Sequence, residues 1–104
     1  MTDGTKLTLV VMLFVHRGHE SEFEEFELKA EQIMHRYGGA IERRIRCGHS
    51  EDAGQPYEVH LVTFPDQKSL EAYREDPDLK ALAQLRAQAI HRTMVWQGHD
   101  LISR

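Results

Sequence analysis

Leu7-Thr8-Leu9-Val10-Val11-Met12-Leu13-Phe14-Val15 decides the fold. In a strand its odd positions (Leu7, Leu9, Val11, Leu13, Val15) point to one face and its even positions (Thr8, Val10, Met12, Phe14) to the other. Neither set carries a charge, so the strand must be covered on both sides. Only one layer of helices is legible in the rest of the chain. The second cover is therefore expected to be another copy of the protein.

Downstream, Arg17-Gly18-His19 makes a turn, and Ser21-Glu22-Phe23-Glu24 has the form of a capping box, with His19 or Gly18 as alternative caps. Phe23, Phe26, Ala30, Ile33 and Tyr37 then recur every three or four residues, the stripe of an amphipathic helix that Gly38-Gly39 ends. Ala40 to Cys47 alternates as a strand, with Ile41 and Ile45 on one side and Glu42, Arg44 and Arg46 on the other. A polar loop from Gly48 to Pro56 leads into a third strand, Tyr57 to Phe64. Asp66 can cap a helix through Tyr73. Asp76-Pro77-Asp78 breaks the chain before a further helix from Leu79 to about His91, with Leu79, Leu82, Leu85 and Ala89 as its stripe. Thr93 to His99 closes as a fourth strand.

This β-α-β-β-α-β order, with right-handed crossovers, predicts a ferredoxin-like α+β fold: a four-stranded antiparallel sheet in order 4-1-3-2 with its helices on one face. The 104 residues form one domain, 1–104, with one modest core. A formal charge of −4 and a pI near 5.9 argue against a nucleic-acid partner. The longest apolar run is well short of the roughly 20 residues of a membrane helix, and Met1–Lys6 is not followed by a signal-peptide cleavage site. A cytoplasmic protein is expected, and the single Cys47 cannot form an intrachain disulfide.

Several stretches resemble a known family: His16–Glu27, Arg36-Tyr37-Gly38-Gly39, Phe64-Pro65-Asp66, and Asp76-Pro77-Asp78-Leu79 leading to Leu85-Arg86. In order and spacing they are similar to the dimeric α+β barrel superfamily, and most similar to an uncharacterised bacterial family beside the antibiotic-biosynthesis monooxygenase and EthD groups. The resemblance implies a homodimer whose two sheets pack face to face around a cavity. Some relatives bind haem, and others oxidise aromatic polyketides without a cofactor. Many members of the closest family place a glutamate before the Phe-Pro pair, where this chain has Thr63.

No Ser-His-Asp order, phosphate loop or nucleotide fingerprint is present. Seven histidines include His16-x-x-His19, but two ligands do not make a zinc site, and no metal is expected. His16 continues the even face of strand one to the mouth of the expected barrel, where it could act as a base. His60, on the third strand, could take either face. For both histidines the alternative is a hydrogen-bonded structural role. Arg44, matched by arginine in many members of the closest family, would face the barrel and hold an acidic ligand, or form an intersubunit salt bridge with Glu42. Arg86 could reach a ligand or cap a strand end, and Trp96 could stack on a flat ligand or fill the dimer core. The expected function is small-molecule binding or catalysis without a cofactor. It extends to monooxygenase-like chemistry on a flat acidic compound held by Arg44 near His16 and Trp96. The alternatives are a non-catalytic dimeric ligand-binding or regulatory module and a haem-binding protein.

Overall fold

A computed structural model describes residues 6–102. Met1–Thr5, which carry most of the N-terminal start considered above, lie outside the described residues. The elements run β1 (Leu7–Val15), α1 (Glu20–His35), β2 (Ala40–Arg46), β3 (Glu58–Phe64), α2 (Gln67–Glu75), α3 (Pro77–Lys80), α4 (Ala83–Ala89) and β4 (Ile90–Gly98). The sheet is antiparallel in order β2-β3-β1-β4, the expected order read from its other edge.

The odd residues of β1 meet the helices. Leu13 and Val15 pack with Phe23, Phe26, Ala30, Tyr57, Ala89 and Ile90, while Leu9 joins Met34, Val62, Phe64 and Leu70 in a second cluster. Val11 lies against both clusters. On the opposite, helix-free face the even residues align with Val59, Leu61 and Thr63 of β3 and with Met94 and Trp96 of β4.

Helix α1 starts after His19, whose side chain makes no capping bond, so the capping box does not form; the Ser21 hydroxyl turns instead to the Glu22 carboxylate. The helix ends at the glycine pair. Gly38 takes φ 76°, open to glycine without steric cost, and the Gly39 amide donates back to the Met34 carbonyl at 3.1 Å. A Cβ on Gly39 would lie 2.5 Å from Met34 Cγ and from Phe64 Cε1, so close packing of helix on strand needs glycine there. Asp66 caps α2 by accepting from the Ser69 amide at 2.8 Å, and Pro77 opens α3.

Two boundaries differ from the sequence reading. The expected helix from Leu79 to about His91 is interrupted between Lys80 and Ala83, and β4 begins at Ile90 instead of Thr93. An irregularity in the β1–β4 register sets the extra residue His91 beside the rings of Phe14 and His16, at 6.1 and 5.0 Å.

The larger correction concerns β2. Ile41 pairs with Val62, but Arg43 pairs with Leu61, so Glu42 is an extra residue, a bulge. A strand's side chains alternate with period two, so one extra residue exchanges the faces of everything after it. Arg44 and Arg46 therefore share the helix side with Ile41, opposite His60 and Glu58, and Ile45 turns to the helix-free face, where it is 47% exposed. Arg44 does not face the expected barrel.

Candidate functional site

Strand β3 alternates Glu58, His60, Val62 and Phe64 toward the helices, all of them buried. Two polar residues thus enter the core; the bulged β2 supplies the partners of Glu58, which in turn holds His60. Glu58 Oε2 accepts from Arg44 Nε at 2.6 Å and from His60 Nε2 at 2.5 Å, while Oε1 accepts from Arg46 Nε at 2.5 Å. The outer ends of both guanidiniums are held by Glu24 of α1, at 3.1 Å from Arg44 Nη2 and 2.7 Å from Arg46 Nη2. Burial acts to raise the Glu58 pKa, but bonds from Arg44, His60 and Arg46 outweigh it and hold the carboxyl below its usual range. An ionised carboxylate only accepts, so Nε2 of His60 carries the proton. Nδ1 is then a free lone pair. Burial also lowers the His60 pKa, against the opposing pull of Glu58, so the ring is neutral at neutral pH.

His60 Nδ1 lies 3.6 Å from Glu27 Oε1 of α1. Glu27 is 8% exposed, and its carboxyl makes no hydrogen bond to a described residue. Burial, reinforced by Glu58, Glu24 and Glu31 and opposed by Arg44, pushes its pKa up to about 7. It belongs to the apolar stripe of α1, four residues after Phe23 and three before Ala30. That position was the one sequence signal for it.

Glu27 and His60 line a cavity of about 380 Å³ between the sheet and the helices, where the two core clusters part. Leu9, Leu13, Phe26, Val62 and Phe64 form much of its apolar wall. The buried lining residues mark its floor. Exposed Arg74, Lys80, Ala83, Arg86 and Val95 mark its mouth, beside the interrupted helix. Between them Tyr73, whose hydroxyl makes no hydrogen bond to a described residue, has its pKa pushed up to about 12 by burial and then by Glu27. An apolar slot ending in a carboxyl near neutrality beside a neutral imidazole can take up a flat molecule and exchange a proton with it.

The structure brings together some of the residues singled out in the sequence and separates others. His60, whose face the sequence left open, lies on the cavity floor, and Arg86 lines the mouth while donating to Thr93 Oγ1 at 2.7 Å. Arg44 stands behind Glu58, bound within its own chain to Glu24 and Glu58. The Glu42 carboxylate accepts from Thr63 Oγ1 at 2.9 Å, so a carboxylate does reach the helix-free face beside Thr63. His16 lines a separate polar cleft with Phe14, Arg17, His49, Tyr57 and His91, and Trp96 lies on the helix-free face. The expected convergence of Arg44, His16 and Trp96 on one ligand is thus absent within a protomer.

Residues 9–97 match the model of a domain of unknown function, DUF1330. No curated protein matches the chain. Its fold is similar to a protein of unknown function from Rhodopseudomonas palustris, with a TM-score of 0.79, 9% identity, and 95% of this chain and 85% of that one covered. It is also similar to SnoaB from Streptomyces nogalater, a cofactor-independent oxygenase, with a TM-score of 0.67, 15% identity, and 97% and 100% covered. A third likeness is to a dimeric protein of unknown function with a ferredoxin-like fold from Bacteroides fragilis, with a TM-score of 0.64, 9% identity, and 91% and 96% covered. At these identities the likeness concerns the fold.

Proposed function

We propose, from the premise that the chain belongs to the DUF1330 family of domains of unknown function, that it binds a flat, weakly acidic organic molecule between its sheet and its helices and takes a proton from it with Glu27. The observation that carries this reading is a buried carboxyl with no hydrogen-bond partner among the described residues, set in an apolar cavity with a pKa near neutrality. A general acid–base works best with its pKa near the working pH. His60 Nδ1, its lone pair turned to the same side, accepts from Glu27 once the proton has moved. Glu58, held by two arginines, fixes that orientation.

The chemistry this arrangement favours is a cofactor-independent oxygenation, the activity of SnoaB from Streptomyces nogalater. Glu27 removes a proton from an activated CH₂ of the substrate, leaving a carbanion delocalised over the ring system. An electron pair from the carbanion forms a C–O bond to dioxygen, and Glu27 returns its proton to the peroxide. Loss of water leaves a carbonyl, so one O₂ is consumed and one H₂O released per CH₂ oxidised.

The probe is 2-naphthol, followed near neutral pH by isothermal titration. The wild-type protein should bind it, and Glu27→Gln should bind it at least about tenfold more weakly, the equivalent of one hydrogen bond to a charged group. Absence of binding to the wild type overturns the reading. Binding without oxygen uptake, across a panel of hydroxylated polycyclic compounds, would leave a non-catalytic ligand-binding module.

The proposal includes a homodimer formed through the helix-free face. Val10, Met12, Leu61 and Met94 are half-buried there, and Trp96 is 48% exposed, an apolar surface that a second sheet would cover. Sedimentation equilibrium at micromolar concentration should show a dimer, and monomer alone would remove this part. Among the described residues no helix is long and apolar enough to cross a membrane.

A further inference from the structure

We infer that the ligand of the cavity carries a second, permanently anionic group, a carboxylate or its equivalent, at the end opposite the proton it gives to Glu27. The inference rests on the cavity being a ligand site, as proposed above. The chain is acidic, at −4 overall, yet the exposed charged residues lining the cavity are Arg74, Lys80 and Arg86, all cationic. Their charge is only partly answered. Lys80 Nζ bonds to Glu75 at 2.8 Å, but Arg86 bonds to the neutral hydroxyl of Thr93, and the Arg74 side chain bonds to no described residue. Glu71, the other acid of α2, does not line the cavity and accepts from Gln67 at 3.1 Å.

The floor has the opposite character. Glu27, with its pKa pushed up to about 7, is only partly ionised around neutral pH and His60 is neutral, so the two are suited to a proton donor with no full charge. A fixed anion placed on the floor would face the Glu27 carboxyl and the ionised Glu58 behind His60, in a medium where like charges repel strongly. Placed at the mouth, it meets guanidiniums that can bind it in paired hydrogen bonds while it stays partly hydrated. The two ends therefore impose a direction: the ring lies along Leu9, Val62 and Phe64, the acidic hydrogen points inward, and the anion points outward.

The test compares two probes that differ only in that group, 2-naphthol and 6-hydroxy-2-naphthoate, by isothermal titration. The naphthoate should bind about tenfold more tightly to the wild type, and the margin should shrink as ionic strength rises, because exposed charges are screened. In Arg74→Gln/Lys80→Gln and in Arg86→Gln, surface changes whose folding circular dichroism can check, the ratio of the two affinities should fall toward one. Equal affinities in the wild type would overturn this inference and leave the ligand site standing. A naphthoate preference undiminished in all the variants would overturn it as well, by moving the anion away from the mouth. Failure of both probes to bind the wild type would overturn the site and this inference together.

Discussion

Glu58→Ala should lower the free energy of unfolding by about 3 kcal/mol, measured by urea denaturation at neutral pH. The side chain is fully buried and is the common acceptor for Arg44, Arg46 and His60. Removing one partner of a buried ionic cluster leaves the others uncompensated, at a cost of about 3–5 kcal/mol. The lower end applies because the Arg44 and Arg46 side chains are 37% and 48% exposed and can turn toward water. His60 cannot, and its Nε2–H is left without an acceptor. Glu58→Gln, which keeps an acceptor oxygen without the charge, should fall between the two. A loss below about 1 kcal/mol for the alanine variant would mean that Glu58 does not hold the cluster.

The second large effect is a pH dependence that belongs to Glu27. Its pKa rises from 4.5 in the unfolded chain to about 7 in the folded one, so across that interval the native state keeps a proton that the unfolded state has lost. The protonated carboxyl is the form the fold tolerates. Its stabilising contribution, relative to the ionised form, is complete below pH 4.5 and is lost as pH rises through about 7, a change of about 3 kcal/mol at 1.36 kcal/mol per pH unit. His60 and Glu58, whose pKa values are lowered, act in the opposite sense and lose stability as pH falls. The measurement is therefore a difference between the wild type and Glu27→Gln. The variant should gain on the wild type by about 3 kcal/mol from about pH 4 to pH 8, and a flat difference would place Glu27 in water.

Much of the fold was legible in the sequence because it rests on periodicity. The uncharged β1, the stripe of α1, the Gly38-Gly39 stop and the Asp66 cap each carry their own local physics, and together they lead to the strand order. The site was less legible. His60 could not be assigned a face because Val59 and Leu61 are as apolar as Val62 and Phe64, so β3 shows no contrast between its two sides. Glu27 is hidden because a glutamate on a helix rich in glutamates reads as solvated, although its spacing from Phe23 and Ala30 sets it in the buried stripe. Simple alternation along β2 sets Arg44 on the helix-free face, because nothing in the sequence marks the bulge at Glu42. The cavity itself leaves no mark in any window of sequence. It arises where two packed clusters fail to meet beneath an interrupted helix, which is a matter of volumes in three dimensions.

The bulge at Glu42 also bears on how such a chain can change over generations. Substitutions alter a strand one side chain at a time, and moving a pair of arginines from one face of a sheet to the other that way would pass through intermediates with charges buried against nothing. A single inserted codon moves them together and carries Ile45 the other way in the same event. Gain or loss of one residue in β2 thus works as a frameshift in space, trading an internal brace for Glu58 against a charged outer surface. Homologues differing by that one residue would align almost perfectly and still present opposite faces to a partner.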